Sequence, residues 1–192
     1  MATCTVGAGV VRPGVVGVTI GTAAQVTTAV NRLYPEAAGR LTFHPHAQPG
    51  WLYLMGSIFS GGLSLRWLAH ALGEDEELAR MGNAYFERLS SEAATAPAGS
   101  RGAVFLPLLA GSGSPQFDGT VRGSMIGLSL GAGRAELVRA VMEGVAHNAR
   151  ECVDVLTEMN LPVERVHMGS GGSVSPVWRR IVAGMLGRPV YP

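Results

Sequence analysis

From Arg134 to Met159, apolar side chains return at helical spacing. Leu137, Val141, Val145, Cys152 and Leu156 fall on one side, and Ala140 and Gly144 leave room for a close neighbour. Pro162 follows the predicted end. A long helix with so apolar a stripe needs a partner surface, and much of the remaining chain reads as strand. Val15–Ile20 is rich in β-branched residues, Gly21 breaks it, and Gln25–Val30 reads as a second strand, so a hairpin is expected with residues 21–24 at its tip. Short strands are expected at Trp51–Met55, Ser124–Leu128 and Val163–Met168, and a buried one at Val104–Leu109. Helices are expected at Ser60–Ala71, from Asp75 to about Leu89, and at Ser175–Leu186, where Pro176 suits the first turn. Residues 42–49, 93–102 and 111–119 read as loops. Strands and helices alternate without a fixed repeat, which points to an α/β or α+β architecture.

A chain of 192 residues is one domain by size and long enough to bury a core. With 47% hydrophobic residues and a formal charge of +1, nothing suggests nucleic-acid or membrane-surface binding. All fifteen basic residues are arginine. Without lysine there can be no P-loop, no protein-kinase third-strand lysine and no Schiff base. Cys4 and Cys152 match no metal or redox spacing, and Cys152 is expected as a buried thiol. No signal peptide or membrane-spanning run is visible, and a cytoplasmic location fits best.

Three glycine turns carry the chemistry. Gly21-Thr22 sits at the hairpin tip, where backbone N–H groups and a hydroxyl can meet a phosphate. Gly61-Gly62 opens the helix that carries Arg66, and helix N-termini favour anions. Gly169-Ser170-Gly171-Gly172-Ser173 lies between a strand and a helix, although the dinucleotide fingerprint is not met. Each alone is also an ordinary turn. Together they can surround one nucleotide, with two near the phosphates and one near the base.

The run Gly123-Ser124-Met125-Ile126-Gly127-Leu128, continued by Glu136-Leu137 and Ala140-Val141-Met142-Glu143, resembles the second signature of the FGGY carbohydrate kinases at every constrained position. Phe105-Leu106-Pro107 and the loop from Gly111 to Asp118, ending Val121-Arg122-Gly123, resemble the segment ahead of it. Gly171-Gly172-Ser173-Val174-Ser175-Pro176-Val177-Trp178-Arg179 is similar to the family's adenosine motif. Arg12-Pro13-Gly14 followed by Gly21-Thr22 resembles the start of the family's C-terminal domain. The resemblance covers essentially the whole chain and is closest to the xylulokinases, although Ser112 and Gly113 replace a Glu-Arg frequent there.

That resemblance implies a ribonuclease-H-like α/β domain of the actin and hexokinase ATPase type, a mixed sheet flanked by helices. It implies that residues 1–192 are the C-terminal, ATP-binding domain of a sugar kinase, cut at both ends, with the sugar-binding N-terminal domain absent. The cofactors would be ATP and Mg²⁺, and the substrate a sugar such as xylulose or a related polyol. Gly21 and Thr22 would contact the terminal phosphates. Gly62 and Arg66 would lie by the ribose and α-phosphate, although the family often has an amide at the Arg66 position. Gly171, Gly172 and Pro176 would border the adenine. The family's catalytic Asp aligns immediately before Met1, so no catalytic residue and no metal ligand is assigned in this chain, and the chain alone is expected to be nearly inactive. A non-catalytic nucleotide-binding or assembly module of the same fold is the alternative. Oligomeric state is open, a homodimer being one option.

The remaining polar residues draw less. His44-Pro45-His46 has no third ligand at metal spacing and reads as a surface loop. Asp118 before Gly119 reads as a turn former, and Asp75 and Asp154 as solvated helix residues. His147 reads as an ordinary helix residue, and Glu143 belongs to the family pattern without an assigned role.

Overall fold

The computed structural model describes residues 2–192. In chain order the elements are α1 (Ala2–Gly7), β1 (Gly14–Ile20), β2 (Ala24–Val30), β3 (Thr42–Pro45), β4 (Leu52–Ile58), α2 (Leu63–Ala71), α3 (Asp75–Met81), α4 (Asn83–Thr95), β5 (Val104–Leu106), β6 (Ser124–Ile126), α5 (Arg134–Glu158), β7 (Val163–Gly169), α6 (Pro176–Leu186) and β8 (Val190–Tyr191). Short 3-10 turns occupy Pro35–Ala37, Ser100–Gly102 and Gly171–Val174.

Six strands form one sheet in the order β3-β4-β2-β1-β7-β8. The hairpin β1–β2 continues antiparallel into β4 and β3, while β7 and β8 run parallel to β1. Parallel neighbours need a crossover, and α5 and α6 provide it. Three antiparallel strands followed by two parallel ones, with β3 added at the edge, is the ribonuclease-H-like arrangement the resemblance implied.

Period-two alternation explains the strands. Val16, Val18 and Ile20 face the main core, while Val15 joins Val10 and Ala29 in a small cluster on the other face. On the main face α5 lies across β2, β4 and β7, and α2, α4 and α6 pack around it. Because α5 meets neighbours on several sides, its burial exceeds the expected stripe. Val138, Ala146, Ala149 and Val153 are buried as well, while Leu137 is only half-buried. Gly144 takes the backbone of β5, since a Cβ there would lie 2.1 Å from the Phe105 carbonyl oxygen.

Several expectations need correction. Residues 42–45 are not loop but an edge strand, because Thr42–Pro45 finds its ladder on β4, and the sheet edge tolerates Pro45. His46 is therefore buried: its Nδ1 accepts from Gln48 N–H at 3.0 Å, leaving Nε2–H to donate to the Val10 carbonyl at 2.9 Å. The strand read at Trp51–Met55 extends to Ile58 because β2 pairs with it along its whole length. The helix expected from Asp75 to Leu89 is two helices, broken at Gly82, whose φ of +56° no helix accommodates. The second of them continues to Thr95. Val104–Leu109 is no buried core strand. Its first three residues form a two-stranded ribbon with β6, in which Phe105 is buried while Val104 and Leu106 are exposed.

Candidate nucleotide-binding cleft

The hairpin tip, the start of α2 and the turn after β7 meet at one point of the sheet. Gly62 N–H donates to the Gly21 carbonyl at 2.7 Å, and Leu63 N–H to that of Thr22 at 3.0 Å. A Cβ on Gly62 would sit 2.6 Å from the Gly21 oxygen, and one on Gly172 2.7 Å from Ile20 Cβ. The two glycines are thus needed for close approach rather than for a left-handed backbone.

These contacts revise one part of the sequence reading. The first N–H groups of α2 are used by the hairpin, so they are not free for an anion. What remains for a ligand is the hairpin tip and the β7–α6 turn. Thr22 has neither its N–H nor its hydroxyl bonded within the described residues. Gly171 and Gly172 open a 3-10 turn, and their N–H groups are likewise unpartnered.

Beside this meeting point lies a cleft of about 690 Å³, the size that drug-sized and cofactor ligands occupy. All seven residues singled out from the sequence, Gly21, Thr22, Gly62, Arg66, Gly171, Gly172 and Pro176, line it. Ile20, Leu65 and Met142 give it an apolar floor, and Val177 and Trp178 an apolar side. Trp178 is fixed there, with Nε1–H donating to the Met142 carbonyl at 3.2 Å. Ser175 caps α6 by accepting from Trp178 N–H at 3.0 Å. Arg179 holds the glycine turn by donating to the Ser173 carbonyl.

The sequence reading missed one whole wall. Asn83, Phe86, Glu87, Ser90, Ser91 and Ala94 project into the cleft from α4. Their spacing of three and four residues marks one helix face, small and polar apart from Phe86, and only that spacing was legible in the sequence. Two contacts fix this wall relative to the others. The Arg66 guanidinium lies over the Phe86 ring, 5.1 Å from its centre, and the Ser90 hydroxyl is hydrogen-bonded to that of Ser175. Arg66 forms no ion pair with a carboxylate among the described residues, so its charge faces the cleft unneutralised.

The remaining candidates fall outside the cleft. Glu143 braces the turn at residues 97–100, accepting from Gly99 N–H and the Ser100 hydroxyl at 3.0 Å each and pairing with Arg139 at 2.7 Å. Asp118 accepts from the N–H and the hydroxyl of Thr120, which hold its carboxyl below the usual range; it is the turn former expected. Asp75 and Asp154 are surface partners of His70 and Arg150, and His147 is exposed. Cys152 is fully buried, and burial, reinforced by the neighbouring charge of Glu151, pushes its thiol up to about 12.

The chain matches the C-terminal domain of the FGGY family of carbohydrate kinases over residues 16–192. It is 32% identical to a gluconokinase of Bacillus subtilis over 180 residues, covering 92% of this chain and 35% of that protein. It is 27% identical to a xylulose kinase of the same species over 178 residues, covering 93% of this chain and 34% of that protein. The crystal structure of a xylulose kinase from Rhodospirillum rubrum superposes with a TM-score of 0.83 at 32% identity, over 98% of this chain and 36% of that one. The chain thus spans about a third of the length of these relatives. With the family model matched over residues 16–192 and a relative 32% identical over 92% of the chain, the chain belongs to the FGGY family of carbohydrate kinases, in the part that forms their C-terminal domain.

Proposed function

We propose that the cleft binds ATP and that the chain is the nucleotide-binding half of a kinase that phosphorylates a hydroxyl of a sugar or polyol, a pentulose such as xylulose being one candidate. The observation that carries this is the convergence of the three glycine turns on one cleft. At one end, the hairpin tip offers an unpartnered N–H and hydroxyl at Thr22, groups suited to phosphate oxygens. At the other, Trp178, Val177 and Met142 form an apolar slot of the kind a purine fills. Arg66 stands between them with a free positive charge.

ATP would supply the phosphoryl group, and this chain's part would be to hold and orient it. Backbone dipoles aimed at the terminal phosphates stabilise charge without rearranging during transfer. Among the described residues no group of three His, Cys, Asp or Glu can hold a metal ion. Magnesium would come with the phosphates, which share it with waters and one or two carboxylates in such sites. The proton of the sugar hydroxyl needs a carboxylate base, a role that no residue of the cleft is assigned.

Calorimetry with the 192-residue chain and Mg-ATP tests the reading. Binding is expected in the wild type, weakened about tenfold in T22A and abolished in G172V, where the new side chain meets Ile20. Absence of binding in the wild type, or undiminished binding in both folded variants, would rule the reading out.

A further inference from the structure

Glu87 is the only carboxylate among the residues lining the cleft. It is exposed, it forms no ion pair, and its side chain takes part in no hydrogen bond within the described residues. Its neighbours Glu74, Glu77 and Glu92 are paired with Arg88 or Arg134, while Glu76 on α3, the other unpaired acid of this region, does not line the cleft. Asn83, one turn earlier on the same face, is likewise unpartnered and lines the same cleft.

Its place along the cleft follows from the two contacts that fix α4. Phe86, next to it, touches Arg66, which is one turn from the hairpin tip. Ser90, one turn beyond it, touches Ser175 at the start of α6. Residues three or four apart are one turn, about 5.4 Å, apart. Glu87 therefore stands midway between the phosphate end and the apolar slot. In a nucleotide the ribose occupies the middle.

We propose that Glu87 accepts hydrogen bonds from the ribose hydroxyls of the bound nucleotide and makes the site selective for ribonucleotides over their 2′-deoxy counterparts. The proposal rests on the cleft being the nucleotide site. A carboxylate presents two oxygens with several lone pairs and suits a vicinal diol, as acidic residues in dinucleotide sites do. Without a ribose in reach, an unpaired carboxylate would only repel the phosphates.

The test compares binding of ADP and 2′-deoxy-ADP to the full chain and to the variants Glu87→Ala and Glu87→Gln. Because Glu87 is exposed, both variants should keep the wild-type melting temperature. The wild type is expected to bind ADP about tenfold more tightly than 2′-deoxy-ADP, and Glu87→Ala to bind the two about equally, with Glu87→Gln intermediate. Removing a negative charge can strengthen binding of both anions, but it cannot by itself change their ratio. A wild type with no preference, or a preference that survives in Glu87→Ala, overturns the proposal and leaves the nucleotide site standing. Failure of the wild type to bind either nucleotide overturns both.

Discussion

Arg66 is the residue at which charge in the cleft should be readable. The family often carries an amide there, while here a guanidinium lies on the Phe86 ring with no carboxylate to neutralise it. A cation contributes to binding a polyphosphate but gains little from an uncharged nucleoside. Replacing Arg66 by Gln should therefore weaken ATP about tenfold and adenosine hardly at all, and should flatten the salt dependence of ATP binding. Isothermal titration at two ionic strengths checks both. An equal loss for ATP and adenosine would mean that Arg66 serves only to pack Phe86. The glycines on either side act differently. At Gly62 and Gly172 the missing Cβ is what lets α2 and the β7–α6 turn approach the hairpin this closely.

The wall contributed by α4 is held from behind by charge. Glu74 receives Arg134 through both terminal nitrogens, Arg88 at 3.3 Å and the Tyr85 hydroxyl. Arg134 also reaches Glu92 at 2.6 Å, so the start of α5 is tied directly to the later part of α4 and, through Glu74 and Tyr85, to its first turn. Burial raises the Glu74 carboxyl, but the hydrogen bonds from Tyr85 and Arg134 and the charges of Arg134 and Arg88 outweigh it, and the net shift is below the ordinary 4.5. A carboxylate depressed in the folded state stabilises above its unfolded value and stops doing so as pH falls through the folded one. E74Q should thus melt at a lower temperature than the wild type at pH 7. About 2 kcal/mol is expected for charge-assisted bonds on a side chain this little exposed, or about 4–8 °C in a chain of this size. The gap should close as the pH is taken below 4.5, and a gap that stays constant down to pH 3 would show that Glu74 acts by packing alone. This network also shows what the sequence made legible. The glycine turns were readable because their residue types are locally demanding and their motif is long. The helices α3 and α4 were read as one because an acidic N-terminal turn and a helical period say nothing of Gly82, whose left-handed backbone is set by the docking of α4 on α5 and α6. The α4 wall was missed because serine and alanine on a helix face look like solvent exposure until another element stands opposite.

At the scale of the whole molecule, one core serves both the sheet and the cleft. The cluster that contains the strand residues Val18 and Ile20 also contains Met142, Trp178 and Val177, which line the cleft or its floor. The alternation of strand and helix made a mixed α/β or α+β architecture legible, and the ribonuclease-H-like topology came only with the family resemblance that the signature residues carry. The edge strand β3 was not, because edge pairing depends on a partner, β4, that lies seven residues further along the chain rather than on its own pattern. If this core is a single cooperative unit, a group at its centre should become accessible only when everything opens. Cys152 is such a group: its sulfur faces β4, where a Cβ on Gly56 would lie 2.7 Å away. With the thiol pushed up to about 12, roughly one molecule in 10⁴ would carry thiolate at pH 8, and the thiolate is the reactive form. Alkylation of Cys152, followed by mass spectrometry of its own peptide so that Cys4 does not interfere, should be negligible in the native chain. It should rise with urea along the same curve as the loss of helical circular dichroism. Saturating ADP should shift both curves to higher urea together, because a ligand that binds only the native state stabilises all of a cooperative unit. Labelling of Cys152 that runs ahead of the loss of helix would mean that α5 leaves the sheet before the rest unfolds, and that the cleft floor is less firmly tied to the fold than the shared core implies.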